Sequence, residues 1–147
     1  MIALSIRQPW AHYILCDGKD VENRSWKLPP KHYGRRVLIH AGLRQEPMQA
    51  CTEAKERAML RARLRDTTPR MLVEGMAPRI EGNMHLGGIV GVVTLLGCAR
   101  DSRSPWAESG TFHWLLADAR PLPFHPCKGR LGFFEVEYPH SVEVPRA

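Results

Sequence analysis

Gly18-Lys19-Asp20-Val21-Glu22-Asn23-Arg24 is a dense polar cluster that follows a short apolar run and leads into Ser25-Trp26. A strand over Val21 to Trp26 places Glu22, Arg24 and Trp26 on one face and Val21 on the other. Lys19 then sits in the turn before the strand, where the turn geometry sets its direction. An acid, a base and an aromatic ring sharing a face suit a flat polar ligand. The plainer alternative is an exposed ion pair on a strand, which contributes little.

Upstream, Met1 to Ile6 alternates loosely and reads as a first strand. Pro9 suits the first turn of a helix, Trp10, Tyr13 and Ile14 recur at helical spacing, and Gly18 suits a left-handed stop. The sequence therefore predicts a helix over Pro9 to Asp17, with a potential anion site at its N-terminus near Gln8. Downstream, Lys27 to Arg36 holds two prolines and a glycine and is expected to be a basic loop. Val37 to His40 reads as a short buried strand ended by Gly42. Glu46 to Asp66 has helix composition but poor amphipathicity, which predicts a surface helix with a basic side. Thr67 to Leu86 reads as a long loop. Gly87 to Cys98 is the best central-strand candidate, and Asp101 to Gly110 is a loop containing Trp106. Phe112 to Leu116 and Leu131 to Tyr138 complete the strands, with a proline-punctuated Pro121 to Lys128 between them and a frayed tail after Pro139. Short strands, few helices and Gly/Pro turns predict an α+β, mainly β fold built on a small closed sheet.

Leu4-Ser5-Ile6-Arg7-Gln8-Pro9-Trp10-Ala11 followed by Gly18 to Trp26 resembles the ASCH domain, whose signature is GxKxxExR. The resemblance continues through Val37 to Gly42, Gly88 to Val93 and Lys128 to Phe134, and leaves out roughly residues 43 to 86. It implies a single PUA-like mixed β-barrel with flanking helices, associated with RNA or modified nucleosides. The 43–86 region is then a helix-plus-loop elaboration of one domain. Some ASCH-like proteins are amidohydrolases on N4-acetylcytidine that use a lysine, a threonine three residues later and a distant glutamate. This chain keeps the lysine as Lys19 and has Glu22 in the threonine's place, so the hydroxyl of that pattern is missing. Ribonuclease activity is also associated with the family.

The 147 residues suit one domain, and 44% apolar composition suffices for one core. No apolar run is long enough to span a membrane, and the N-terminal residues do not read as a secretory signal, so a cytoplasmic protein is expected. The four cysteines form no CxxC pair and the seven histidines no HxH or HxxxH pair, so neither a metal nor another cofactor is expected. No GxSxG serine motif occurs, and His40 and His113 read as hydrogen-bonded strand histidines. A net charge of +6 fits a polyanionic partner.

The chemistry left over centres on Lys19 and Glu22. Burial would lower the lysine pKa and make it a base, whereas the neighbouring carboxylate keeps it charged. A charged pair suits gripping a phosphate or polarising a carbonyl. The ligand-binding residues expected are Gln8, Trp10, Lys19, Glu22, Arg24 and Trp26, with Lys19 and Glu22 also the catalytic candidates. Lys27, Lys31, Arg35, Arg36, Arg61 and Arg65 are expected on an RNA backbone, and Arg63 and Arg70 as further phosphate contacts. Three functions follow: an RNA-binding module, a hydrolase on the same pocket acting on an acylated nucleoside or on RNA, and a protein-interaction module.

Overall fold

A computed structural model of the chain describes residues 1–64 and 84–143. The fold is α+β and mainly β. Its elements are β1 (Ile2–Gln8), α1 (Trp10–Cys16), β2 (Val21–Arg24), a 3-10 turn (Pro30–His32), β3 (Arg35–Gln45), α2 (Met48–Leu64), β4 (Gly88–Ala99), β5 (Phe112–Pro126) and β6 (Phe133–Glu135). The strands form one mixed sheet in the order β2-β5-β4-β3-β1-β6, with β1 and β3 parallel and the other pairs antiparallel. No helix among the described residues is long and apolar enough to cross a membrane.

The sheet curls but does not close, contrary to the expected closed barrel. No ladder joins the edge strands β2 and β6. Aromatic packing brings the two edges together instead. The Phe133 ring stacks at 5.9 Å on Trp114 and meets Trp26 edge-on at 6.4 Å. Such ring contacts hold two edges without the backbone pairing that closure requires.

One core fills the concave side of the sheet. Ala11, Ile14 and Leu15 of α1 pack there with Leu4, Ile6, Ile39 and Trp114. The opposite face of β1, β3 and β4 buries Ala3, Leu38, Ile89 and Val92 against Phe134 and Val136. β4 is therefore covered on both sides, which is why its sequence is nearly all apolar. Gly91 of β4 is required by packing: a Cβ there would lie 2.4 Å from one Leu15 methyl and 2.7 Å from the Arg120 carbonyl.

Several boundaries differ from the sequence reading, each for a packing reason. β3 runs past Gly42 to Gln45, because that glycine needs no special backbone angle and the pairing carries on. The 27–36 segment is not irregular throughout: Leu28 is buried, a 3-10 turn follows, and β3 begins at Arg35. β5 is one 15-residue strand rather than a short strand and a proline-rich connection. β2 pairs only with Phe112 to Leu115, so the rest of β5 has β4 alone beside it and tolerates Pro121 and Pro123. Asp118, at φ 52°, lies where the β4–β5 register shifts. β6 is shorter than expected. The tail is held as far as Val142, whose carbonyl accepts from Arg120.

α2 buries Cys51, Lys55, Ala58 and Ala62. That stripe has helical spacing but is made of small side chains and one lysine, so it reads as weak amphipathicity in the sequence. It packs on Tyr13, Val21 and Trp106. Lys55 is neutralised there by Asp17 at 3.0 Å and lies 5.2 Å over the Tyr13 ring. Arg65, Arg70 and most of the 67–86 loop lie outside the described residues.

Candidate functional site

The open seam of the sheet creates the site. α1 ends as predicted at Gly18, whose φ of 73° needs a glycine, with the Asp17 and Lys19 N–H groups both donating to the Tyr13 carbonyl. This turn points Lys19 inward. Its ammonium is 4% exposed and donates to the Val21 carbonyl at 2.5 Å and to Glu22 Oε2 at 3.4 Å. The Trp10 ring lies 5.5 Å beneath it. Glu22 is 8% exposed, and its other oxygen, Oε1, lies 3.5 Å from Arg24 Nε. The carboxylate thus has a cation on each oxygen. The exposed-ion-pair alternative does not describe this cluster.

Two cavities meet at Glu22. The larger is a cleft of about 1140 Å³ whose walls come from β1, β2, β3 and the 127–132 segment. Its charged lining is Arg7, Arg24, Arg44, Lys128 and Arg130 against Glu22 and Glu46. Arg7 and Glu46 form an ion pair at 2.9 Å. The smaller is a pocket of about 350 Å³ beneath α2, lined by Trp10, Lys19, Glu22, Trp106 and the small side chains Ala50 and Ala54. Trp10, Glu22 and Asn23 belong to both walls.

Asn23 and Trp106 carry roles that the sequence did not signal. The Asn23 amide donates to the Trp106 carbonyl at 3.0 Å, and its oxygen accepts the Glu108 N–H at 3.0 Å. The motif itself therefore seats the 101–110 loop over the smaller pocket. Trp106 is 4% exposed, and its Nε1 has no hydrogen-bond partner among the described residues. An isolated aromatic in an otherwise polar loop was the only available clue.

The remaining expected residues divide. Trp10, Lys19, Glu22 and Arg24 gather at the two cavities, Lys19 at the smaller only. Gln8 lines neither: its Oε1 accepts the His12 N–H at 2.9 Å, so it occupies the α1 N-terminus that was the potential anion site. Trp26 lines neither: its ring meets Trp114 edge-on at 4.6 Å, and the residue is exposed. Arg61 donates to the Pro105 and Ala107 carbonyls at 3.2 and 3.3 Å and so fastens α2 to the 101–110 loop instead of facing a ligand. Arg63 also has a partner. Lys27, Lys31 and Arg35 are exposed and Arg36 is half-buried, all away from both cavity walls. The cleft's own cations Arg7, Arg44, Lys128 and Arg130 give no local sequence signal, because they come from three separate stretches that only folding assembles.

His113 is structural, since its nitrogens bond the Ser102 N–H and the Glu108 carbonyl. His40, 2% exposed, has Ser5 Oγ at 3.0 Å from Nδ1 and the Cys127 carbonyl at 2.8 Å from Nε2. Burial pushes the Cys127 thiol pKa up, so this thiol stays protonated near neutral pH.

The chain matches no protein-family model, and no curated protein gives a significant match.

Proposed function

We propose that this chain is an ASCH-type, PUA-like RNA-binding module that holds a base or modified nucleoside at the Gly18–Arg24 motif. The observation that carries this reading is the position of Glu22. Its carboxylate stands between an aromatic pocket and a cationic cleft, with Lys19 on one oxygen and Arg24 on the other. A base fits the smaller pocket beside Trp10 and Trp106, with Glu22 accepting from an exocyclic amine. The sugar-phosphate chain then follows the cleft, where five cations face two carboxylates. Lys19 gives two of its three donors to Val21 and Glu22, which favours binding over use as a base.

The test is titration of a fluorescent single-stranded RNA at several salt concentrations. Contact with about three phosphates weakens binding roughly tenfold between about 50 and 200 mM salt. Lys19→Ala and Trp106→Phe should each weaken it further. Absence of binding at low salt, or affinity that ignores salt, would reject the proposal.

A further inference from the structure

We propose that Ser5 and His40 form a nucleophile–base pair opening on the larger cleft, able to hydrolyse a carboxylic ester carried by an anionic molecule. Parallel pairing of β1 with β3 sets these two residues side by side. The Cys127 carbonyl can only accept, so His40 Nε2 carries the ring hydrogen and donates it there. Nδ1 is then left with a lone pair, and the Ser5 hydroxyl donates to it at 3.0 Å. A hydroxyl, a base facing it and a third group orienting that base make up an activated nucleophile.

Three neighbouring features fit this use. Both side chains line the cleft, so the pair borders space that a substrate can fill. Gly129 passes directly over them: a Cβ there would stand 2.5 Å from His40 Cε1 and 2.9 Å from Ser5 Oγ. Any other residue would crowd the hydroxyl. The Arg24 guanidinium donates to the Ser5 carbonyl at 3.0 Å. That bond ties a cation of the cleft wall to the backbone of the serine itself. The contrast with His113 is informative. That imidazole cross-links two backbone groups, whereas one of His40's two partners is a hydroxyl in a cavity wall.

The step balances with water alone. Ser5 Oγ bonds to the ester carbonyl carbon while its proton passes to His40 Nδ1. The bond to the leaving oxygen breaks as His40 returns that proton to it. Water then adds to the acyl-serine, giving up a proton to His40, and that proton returns to Ser5 Oγ as the acid departs. The cationic lining of the cleft selects an ester on an anionic carrier.

The full chain is treated with a fluorophosphonate probe and, separately, with p-nitrophenyl acetate. The expected result is one phosphonyl adduct per chain, mapped to Ser5. Ser5→Ala and His40→Gln should lower adduct formation and ester turnover by about a hundredfold or more, while Ser25→Ala leaves both unchanged. Because His40 is buried, its variant counts only if it melts cooperatively, and Ser5→Ala decides alone. No adduct on folded wild type, an adduct elsewhere, or labelling that survives Ser5→Ala would overturn the proposal. A purely structural Ser5–His40 bond would alter the melting temperature and give no adduct.

Discussion

Glu22→Gln keeps the shape of the side chain and removes its charge. In the native protein Lys19 and Arg24 approach this carboxylate at 3.4 and 3.5 Å, and Lys19 is 4% exposed. After the substitution the buried ammonium has neutral partners alone, the Val21 carbonyl, the Trp10 face and at best an amide oxygen. Breaking a buried pair by removing one partner costs about 3–5 kcal/mol. The two remaining contacts put Glu22→Gln near the bottom of that range, at about 3 kcal/mol. Lys19→Met should cost less, about 1.5 kcal/mol, because Glu22 retains Arg24 and borders the open cleft. With both substitutions the buried ammonium is gone and only the half-buried Arg24, which keeps the Ser5 carbonyl, loses its carboxylate, so the double variant should lose about 2 kcal/mol instead of the roughly 4.5 that additivity predicts. Urea unfolding of the four proteins, at constant slope, measures this cycle. A Glu22→Gln loss below about 0.5 kcal/mol, or additive losses, would refute the argument that the motif is a buried charge network.

Two further perturbations test the fold around the site. Burial pushes the His32 pKa down, with the Lys31 and Arg35 charges adding to it, and the ring stacks on Phe133 at 3.9 Å. The unfolded chain takes up this proton at about pH 6.5 and the native state only below that, so stability present above pH 6.5 is lost as the pH falls. Urea midpoints at about pH 7.5 and 5.5 should therefore drop on acidification, and by less in His32→Phe; an equal drop in both would count against it. Gly91→Ala drives a methyl into Leu15 and the Arg120 carbonyl and should cost about 1–3 kcal/mol, whereas Gly97→Ala, with nothing within 4 Å, should be close to neutral. Equal melting temperatures for the two variants would contradict the packing argument.

Local chemistry made part of this protein legible from its sequence. The helix over 10–16, its stop at Gly18, the strand after it and the apolar β4 follow from spacing and residue type, which act within a few residues. The clustering of Lys19, Glu22 and Arg24 was legible for the same reason, since they share one turn and one strand. Burial of that cluster was not, because exposure depends on α2 and the 101–110 loop folding over it. The small-residue stripe Cys51, Ala58, Ala62 shows no strong apolar signal until a partner surface is known. Trp26 and Gln8 carry the right chemistry for a ligand, yet the fold leaves Trp26 outside both cavity walls and binds Gln8 to the α1 N-terminus. The pairing of Ser5 with His40 spans 35 residues and rests on the β1–β3 register, and the cleft cations converge from four stretches. Sequence determines which groups are present and how near neighbours point; the sheet order, and the seam where it stays open, decide which distant groups meet and which are shielded from water.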